Sequence, residues 1–393
     1  MTNNEIVIVG AARTPMGALQ GELGTVPAPQ LGATAIAAAL QRSGVAAELV
    51  DEVVMGCVLA AGLGQAPARQ AALAAGLPMS TGCTTVNKMC GSGMKALMLA
   101  YDQLTAGSTE LMVAGGMESM SLAPYLVPKA RAGLRMGHAQ LLDHMFFDGL
   151  EDAYEGGLMG SFAQQTADKY GVSREAMDDF ALESLSRARR AMAEGAFTEE
   201  IAAVLVEHRH DTVAVATDEQ PGKARPEKIR RLRPAFATEG TVTAANSSSI
   251  SDGAAALVVT TAERARALGL TPLARVLAHA THARLPAEFT LAPIGAIRKV
   301  LEQVDWQADQ VDLFEINEAF AVVALLAMKD LKLDAARVNV NGGACALGHP
   351  IGASGARIVV TLLHALRRRG LKRGVAALCI GGGEATAVAL ELI

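Results

Sequence analysis

Two similar α/β halves with an insertion between them are the fold this sequence predicts. Three observations carry that expectation: apolar strands alternate with helical stretches at the start of the chain, the same order returns in the last third, and residues 119–245 break the rhythm. Alternating strands and helices imply a largely parallel sheet with both faces covered. At 393 residues there is chain enough for two cores. Hydrophobic residues make up 51% and charged residues 19%, with a mean hydropathy of +0.26, so burial is extensive and part of it is expected between subunits. Only 4% of residues are aromatic, which leaves Ala, Val, Leu, Ile and Met to pack around 39 glycines.

Ile6-Val7-Ile8-Val9 is a continuous apolar strand that leaves through Gly10-Ala11-Ala12-Arg13-Thr14-Pro15. The spacing then predicts a helix over about residues 32–43, a strand over 52–55, a glycine-rich loop and a helix over about 66–75. Cys90-Gly91-Ser92-Gly93 opens a further helix, on which Met94, Leu97, Met98, Tyr101 and Leu104 recur at helical spacing. Leu111-Met112-Val113-Ala114-Gly115-Gly116 is a buried strand ending in paired glycines.

Counterparts follow in the last third. Ile36 and Leu40 match Ile297 and Leu301, Val50-Asp51 matches Val311-Asp312, Ser92-Gly93 matches Ser354-Gly355, and Ala114-Gly115-Gly116 matches Cys379-Ile380-Gly381-Gly382. The offset stays at 261 to 262 until the last match, where it drifts by a few residues. Matches in one order imply an internal duplication and a pseudo-twofold axis. Between the halves lie Tyr125, a Gly-, Met- and His-rich turn at 133–138, a polar helix over about 173–194, and the run Asp218-Glu219-Gln220-Pro221-Gly222-Lys223-Ala224-Arg225-Pro226. Insertions of this length are commonly functional or assembly elements.

Net charge is −5 and no basic run interleaves with aromatics, so nucleic acid is not an expected partner. Cys57, Cys83, Cys90, Cys345 and Cys379 are odd in number and lack metal-ligand spacing, which argues against a disulfide framework and against a metal site. The start of the chain lacks the basic region and cleavage site of a signal peptide, and no apolar run reaches membrane-spanning length. The expectation is a cytoplasmic protein with no membrane partner.

Four segments carry chemistry. Cys90 sits at a helix entrance, where free N–H groups and the helix dipole favour an anion, so its thiol pKa is expected to fall. Gly91 and Gly93 are expected to leave room for another group to approach the sulfur. A lone cysteine is also often a buried structural thiol, and context decides between the two. Asn317 ends an apolar strand at Asp312-Leu313-Phe314-Glu315-Ile316, either as a hydrogen-bond donor to a developing oxyanion or as a turn residue. His349 lies within five glycines in the place that Cys90's loop has in the first half, which favours a base or oxyanion donor over a core histidine. Cys379 ends the last core strand before three glycines, where ligands bind in α/β sheets; alone it reads as an ordinary buried thiol, as does Cys345.

Together these segments resemble the thiolase family, and within it the acetyl-CoA C-acetyltransferase group. The resemblance spans nearly the whole chain and rests on Val86-Asn87 ahead of Cys90-Gly91-Ser92-Gly93, then Asn317-Glu318-Ala319-Phe320, Gly348-His349-Pro350, and Cys379 before Gly381-Gly382-Gly383. It implies a fold of two duplicated halves with mainly parallel five-stranded sheets packed as layers. The halves divide as residues 1–118, an inserted loop domain 119–245, a return over 246–270, and the second half over 271–393.

The same resemblance implies a reversible Claisen condensation of two acetyl-CoA. Cys90 would form an acyl-enzyme with His349 taking its proton, and Cys379 would act as acid and base at the α-carbon of the second acyl-CoA. His349 with a water held by Asn317 would form one oxyanion site, and the backbone N–H groups of Cys90 and Gly381 the other. Ser248, Ala244, Leu150, Met159, Phe236, Ala319 and Phe320 would line the coenzyme A site. Coenzyme A is then a substrate and no cofactor is needed; the partners are acyl-CoA and copies of the chain in a homotetramer, a dimer of dimers.

Three positions depart from the family's pattern. Leu158 stands where many biosynthetic members have a histidine, and Phe289-Thr290-Leu291-Ala292-Pro293 replaces a Met- and Gly-rich run, which reshapes the acyl pocket. Gly222 stands in place of an arginine, so Lys223 or Arg225 is expected to meet the coenzyme A phosphates. Rival readings are a degradative 3-ketoacyl-CoA thiolase for longer chains and a catalytically silent acyl-CoA-binding protein.

Overall fold

Strand β1 (Ile6–Arg13) leads into helix α1 (Ala28–Ser43), β2 (Glu52–Gly56), α2 (Pro67–Ala74), β3 (Gly82–Val86), α3 (Ser92–Ala106) and β4 (Leu111–Ser119) in the computed structural model, which describes residues 5–207 and 209–393. The excursion that follows contains α4 (Met159–Tyr170) and α5 (Arg174–Ala193) before the chain returns as β5 (Ser251–Thr261). Then come β6 (Ala274–Ala283), α6 (Ala292–Gln303), β7 (Leu313–Ile316), α7 (Ala321–Leu331), α8 (Ile351–Arg369), β8 (Arg373–Ile380) and β9 (Glu384–Leu392). Helix α1 starts four residues before the expected position because Pro27 and Pro29 occupy its first turn, where a missing N–H costs nothing. Ser173 caps α5 by accepting the Ala176 N–H at 3.1 Å.

The strands form one sheet in the order β7-β8-β9-β6-β1-β5-β4-β2-β3, with the short strand Gly17–Ala18 added on β5. In the first half β2 pairs parallel with β3 and β4, and only β5 runs against β1 and β4. In the second, β7 and β8 are parallel and β9 runs against β8 and β6. Direction is therefore mainly parallel within each half, as expected, although the inserted reverse strand makes most neighbouring pairs antiparallel. Two expectations change. The second half has four strands, its fifth reduced to a single parallel bridge between Phe314 and Val338. The two sheets are also not separate: Ile6, Val7 and Ile8 pair with Val276, Arg275 and Ala274.

Layering follows from the period-2 alternation of the strands. Val7 and Val9 face outward onto Leu31 and Ile36 of α1, whereas Ile6 and Ile8 face inward with Met94 and Leu97 of α3 and Ile358 and Leu362 of α8. On β9, Val388 and Leu390 face the same inner layer while Ala385 and Ala387 meet Ile297 of α6. So α3 and α8, one helix from each half, share the middle. Residues of α8 are buried from Ile351 through Leu366, as befits a helix covered on all sides.

The duplication is visible in matched details. Asp51 accepts the N–H groups of Glu110 and Leu111, and Asp312 accepts those of Lys372 and Arg373. A Cβ on Gly93 would lie 2.8 Å from the Ala356 nitrogen and one on Gly355 would lie 2.4 Å from that of Met94, so each glycine lets the other's helix approach. The matched aspartates align Leu111 with Arg373, which corrects the last sequence match: Gly115 and Gly116 correspond to Ala377 and Leu378 rather than to Gly381 and Gly382, and Met117 corresponds to Cys379. The glycines had misled because they serve different ends. Gly115 and Gly116 are mid-strand, with a Cβ-site 2.2 Å from Ala255 O and 2.1 Å from Gly352 O, while Gly382 and Gly383 form a turn at φ +91° and +90°.

Candidate active site

Between β3 and α3 the chain makes a tight turn that presents Cys90. Met89 adopts φ +47°, an unusual conformation for a residue with a side chain. The turn is held by donation from Met89 N–H to Asn87 Oδ1 (2.9 Å), from Lys88 N–H to Ser92 Oγ (2.8 Å) and from Ser92 Oγ–H to the Met89 carbonyl (2.6 Å). Lys88 Nζ reaches Glu384 of the second half at 2.5 Å. Helix α3 begins at Ser92, so Cys90 does stand at its entrance. The glycines beside it do not leave an open approach to the sulfur, however. A Cβ on Gly91 would lie 2.4 Å from Ile380 Cδ1, and Gly93 is occupied by the contact with α8.

The Cys90 thiol is pushed up to about 11, contrary to expectation. Desolvation by burial is the largest cause, followed by the opposing effects of the Gly381 and Cys90 backbone N–H groups, which point at the sulfur, and by repulsion from Glu118. One of these donors is local and the other comes from the second half, and the enclosure by that same half outweighs both.

His349 sits two residues before α8 and is 6% exposed. Its Nδ1 lies 2.6 Å from Ser354 Oγ, and that hydroxyl donates to the Pro350 carbonyl at 2.9 Å. With the hydroxyl proton so committed, Nδ1 is the donor and Nε2 keeps its lone pair. Nε2 has no hydrogen-bond partner among the described residues. Burial first, then Arg357, push His349 down to about 3, so the ring is neutral. Asn317, 1% exposed, meets the ring on its Nδ1 side at 3.5 Å and takes a long contact from Arg357 Nη2 at 3.5 Å.

Cys379 is buried near the end of β8, and burial followed by the charge of Cys90 raises its thiol well above the ordinary value. Gly381 follows, and a Cβ there would meet only Met159 Sδ at 3.5 Å and Met89 Cε at 3.9 Å. Its conformation does not require glycine as those of Gly382 and Gly383 do. Two apolar groups flank these residues. Leu150 packs with Val58, Leu59, Met145, Ile351, Met89 and Cys90 itself. Met159, Phe236, Ala319 and Phe320 belong to the outer core of the second half, where Phe320 makes edge contacts with both Phe236 and Phe289 at 6.1 Å.

A cleft of about 290 Å³ opens beside the inserted segment, lined by Ala244, Ala245, Ser249, Arg225, Lys228 and Leu232 among others. Ser248 is next to it, half-buried, with its N–H on the Ala319 carbonyl at 2.9 Å. Arg225 thus lies where a polyanion entering the cleft would pass. Lys223 does not: its ammonium pairs with Glu219, whose carboxylate also accepts the Ala18 and Glu22 N–H groups.

Sequence reasoning missed several residues of this site. Met89 and Ser354 are adjacent to motif residues, and Ser354 was visible only as a repeat match. Lys228 lies three residues beyond Arg225. Glu118 gave no local signal, because the backbone groups it holds lie 59 to 234 positions away, and Arg357, two turns beyond His349, carried no motif of its own.

Residues 6–263 match the N-terminal domain of thiolases and residues 270–392 the C-terminal domain. An acetyl-CoA acetyltransferase of Cupriavidus necator is 51% identical over 98% of this chain and 99% of its own. Acetyl-CoA acetyltransferase 2 of Arabidopsis thaliana is 52% identical over 99% and 97%. Among solved structures, a thiolase from Ascaris suum in complex with coenzyme A superposes with a TM-score of 0.94 at 43% identity, covering 99% of this chain and 100% of that one.

Proposed function

The chain belongs to the thiolase family, and we propose that it is an acetyl-CoA C-acetyltransferase that joins two acetyl-CoA to acetoacetyl-CoA and free CoA, and runs the reverse thiolysis. The observation that carries the reading is a partnerless His349 Nε2 on a neutral ring, set at one helix entrance, with Cys90 at the matching entrance and Cys379 within its electrostatic reach.

Both Cys90 and His349 are shifted so that the proton rests on sulfur. The thiol therefore loses its proton to Nε2 as the sulfur attacks the thioester carbonyl, and no resting ion pair is needed. The C–S bond to coenzyme A breaks, and Cys379 gives its thiol proton to the leaving thiolate, so that a Cys379 thiolate remains beside the imidazolium. A second acetyl-CoA then gives an α-proton to the Cys379 thiolate, the carbanion attacks the acyl-Cys90 carbonyl, and the imidazolium returns its proton to the Cys90 thiolate that is released. The N–H groups of Cys90 and Gly381 that now face the sulfur are placed to receive an oxyanion. Asn317 supports the second oxyanion site from beside the ring.

Ala244, Ser248, Leu150, Met159, Phe236, Ala319 and Phe320 line the path of the acyl-CoA in this reading, with Arg225 rather than Lys223 near its phosphates. Coenzyme A is a substrate, and no cofactor enters the scheme. The domain division given by the sequence, a homotetramer built from dimers, and a cytoplasmic location belong to the same proposal. In support of the last, no helix among the described residues is long and apolar enough to cross a membrane. A second reading, a thiolase for longer chains, is favoured by Leu158 and by Phe289, which is buried against Phe320.

Steady-state cleavage of acetoacetyl-CoA by CoA, compared with cleavage of a longer 3-ketoacyl-CoA and with mass analysis of the trapped enzyme, tests the reaction, the chain length and the nucleophile. Faster cleavage of acetoacetyl-CoA with an acetyl adduct on Cys90 is expected. Faster cleavage of the longer substrate moves the assignment to the second reading, and no adduct with any substrate removes the acyl-enzyme.

A further inference from the structure

Glu118, on the carboxyl end of β4, is fully buried. Its carboxylate accepts the N–H groups of Val58 (3.0 Å), Leu59 (3.1 Å) and Gly352 (2.9 Å), with Cys57 Sγ 3.8 Å away. All four donors are neutral. Three come from the loop after β2 in the first half and one from the first turn of α8 in the second. The close fit needs glycine at 352, where a Cβ would lie 2.6 Å from Glu118 Oε2 and 3.1 Å from Cys57 Cα.

What these donors carry is the active site. Val58, Leu59 and Ile351 pack together with Met89, Cys90 and Leu150, and His349 stands three residues before Gly352. An apolar side chain of similar size would avoid burying a charge but would leave the Val58, Leu59 and Gly352 N–H groups without this acceptor. A carboxylate instead fixes the distance between the loop and the helix through directed hydrogen bonds.

We propose that Glu118 is a positioning residue for acyl transfer, holding the Val58–Leu59 wall and the His349 end of α8 in register with Cys90. This rests on the acyl-transfer reading above. The charged carboxylate is the form that accepts all three backbone N–H groups. Burial raises its pKa to about 7, so protonation loosens the clamp as pH falls through that value. Other titratable groups around it are Cys57 and Cys90, both raised by burial to well above neutrality, His349, lowered to about 3, and Asp252 of the adjacent β5, raised to about 6 by burial and bound to Ser121.

The test is the kcat and KM pH profile of full-length wild type, Glu118→Gln and Asp252→Asn, with mass analysis of acyl-Cys90. The expected wild-type kcat falls below about pH 7. Glu118→Gln should lose tenfold to a hundredfold in kcat, of the size that small misplacements of reacting groups cost, with KM within about twofold and no acidic limb near pH 7. Asp252→Asn should keep that limb. A Glu118→Gln enzyme with wild-type kcat, or one that retains the limb, overturns the proposal. Should that variant fail to fold, the wild-type and Asp252→Asn profiles decide, since absence of a limb near pH 7 in the wild type also overturns it. A wild type that never acylates Cys90 overturns the acyl-transfer reading itself, an outcome separate from these.

Discussion

At the entrance of α3, Ser92 takes the Lys88 N–H and gives its own proton to the Met89 carbonyl; at the entrance of α8, Ser354 gives its proton to Pro350 and takes the His349 ring N–H. The two serines are counterparts in the duplicated halves, 262 positions apart. One closes a backbone turn around a sulfur, the other fixes an imidazole. The comparison teaches that the duplication supplied two equivalent helix entrances, and that a change of neighbour turned one into a nucleophile's seat and the other into a base's. Nothing in the serines themselves differs.

Substitutions can break this pairing, from the largest expected effect to the smallest. Cys90→Ala should lower turnover by about 10⁴-fold or more, as loss of a covalent nucleophile does, and remove the acyl adduct from the mass spectrum; turnover within tenfold of wild type would place the nucleophile elsewhere. Ser354→Ala should cost about 10- to 100-fold in kcat, the range in which loss of a partner that orients a histidine is felt, with melting temperature nearly unchanged. Ser92→Ala should show the reverse emphasis, losing about 1–3 kcal/mol of stability in denaturant titration as Lys88 N–H is left without its acceptor. If the two variants behave alike, the assigned division between orienting and folding roles is wrong.

The helix crossing offers a symmetrical test. Gly93→Ala and Gly355→Ala should each destabilise by about 1–3 kcal/mol through overpacking, and a large difference between them in calorimetry would show that the halves do not share the contact evenly. The Cys90 pKa gives another. Because burial holds the thiol near 11, its alkylation by iodoacetamide should still be rising between pH 8 and 10. A plateau below pH 8 would mean that the helix entrance prevails over desolvation after all. The smallest contrast lies in the cleft, where Arg225→Ala should raise KM for coenzyme A about three- to tenfold and Lys223→Ala should leave it within about twofold.

The parts of this site legible in sequence are those whose residue types are chemically conspicuous: a cysteine before Gly-Ser-Gly, a histidine among glycines, a cysteine before three glycines. Strand and helix positions were legible too, because alternation and helical spacing are local. Glu118 was not, since its partner Gly352 is 234 positions away and nothing in Gly-Met-Glu-Ser announces it. The direction of the Cys90 pKa shift is hidden for a related reason: of the two N–H groups facing the sulfur only that of Cys90 is local, and both the Gly381 N–H and the enclosure by Ile380 and Ile351 come from the other half. Glycines were the least readable residues. Gly91, Gly93 and Gly116 make room for protein rather than substrate, which only the tertiary packing decides.

The shared middle layer sets how the chain can reach this state. The inner faces of β4 and β5 are covered by α8, which is made after every other helix described above. As the chain leaves the ribosome, a first half complete in sequence still presents those apolar faces to water, along with a Cys90 turn that has no Ile380 against it. The inner faces of the first half therefore close only when the helix over residues 351–369 has joined them, and a nascent chain arrested before it exposes apolar surface of the kind chaperones bind.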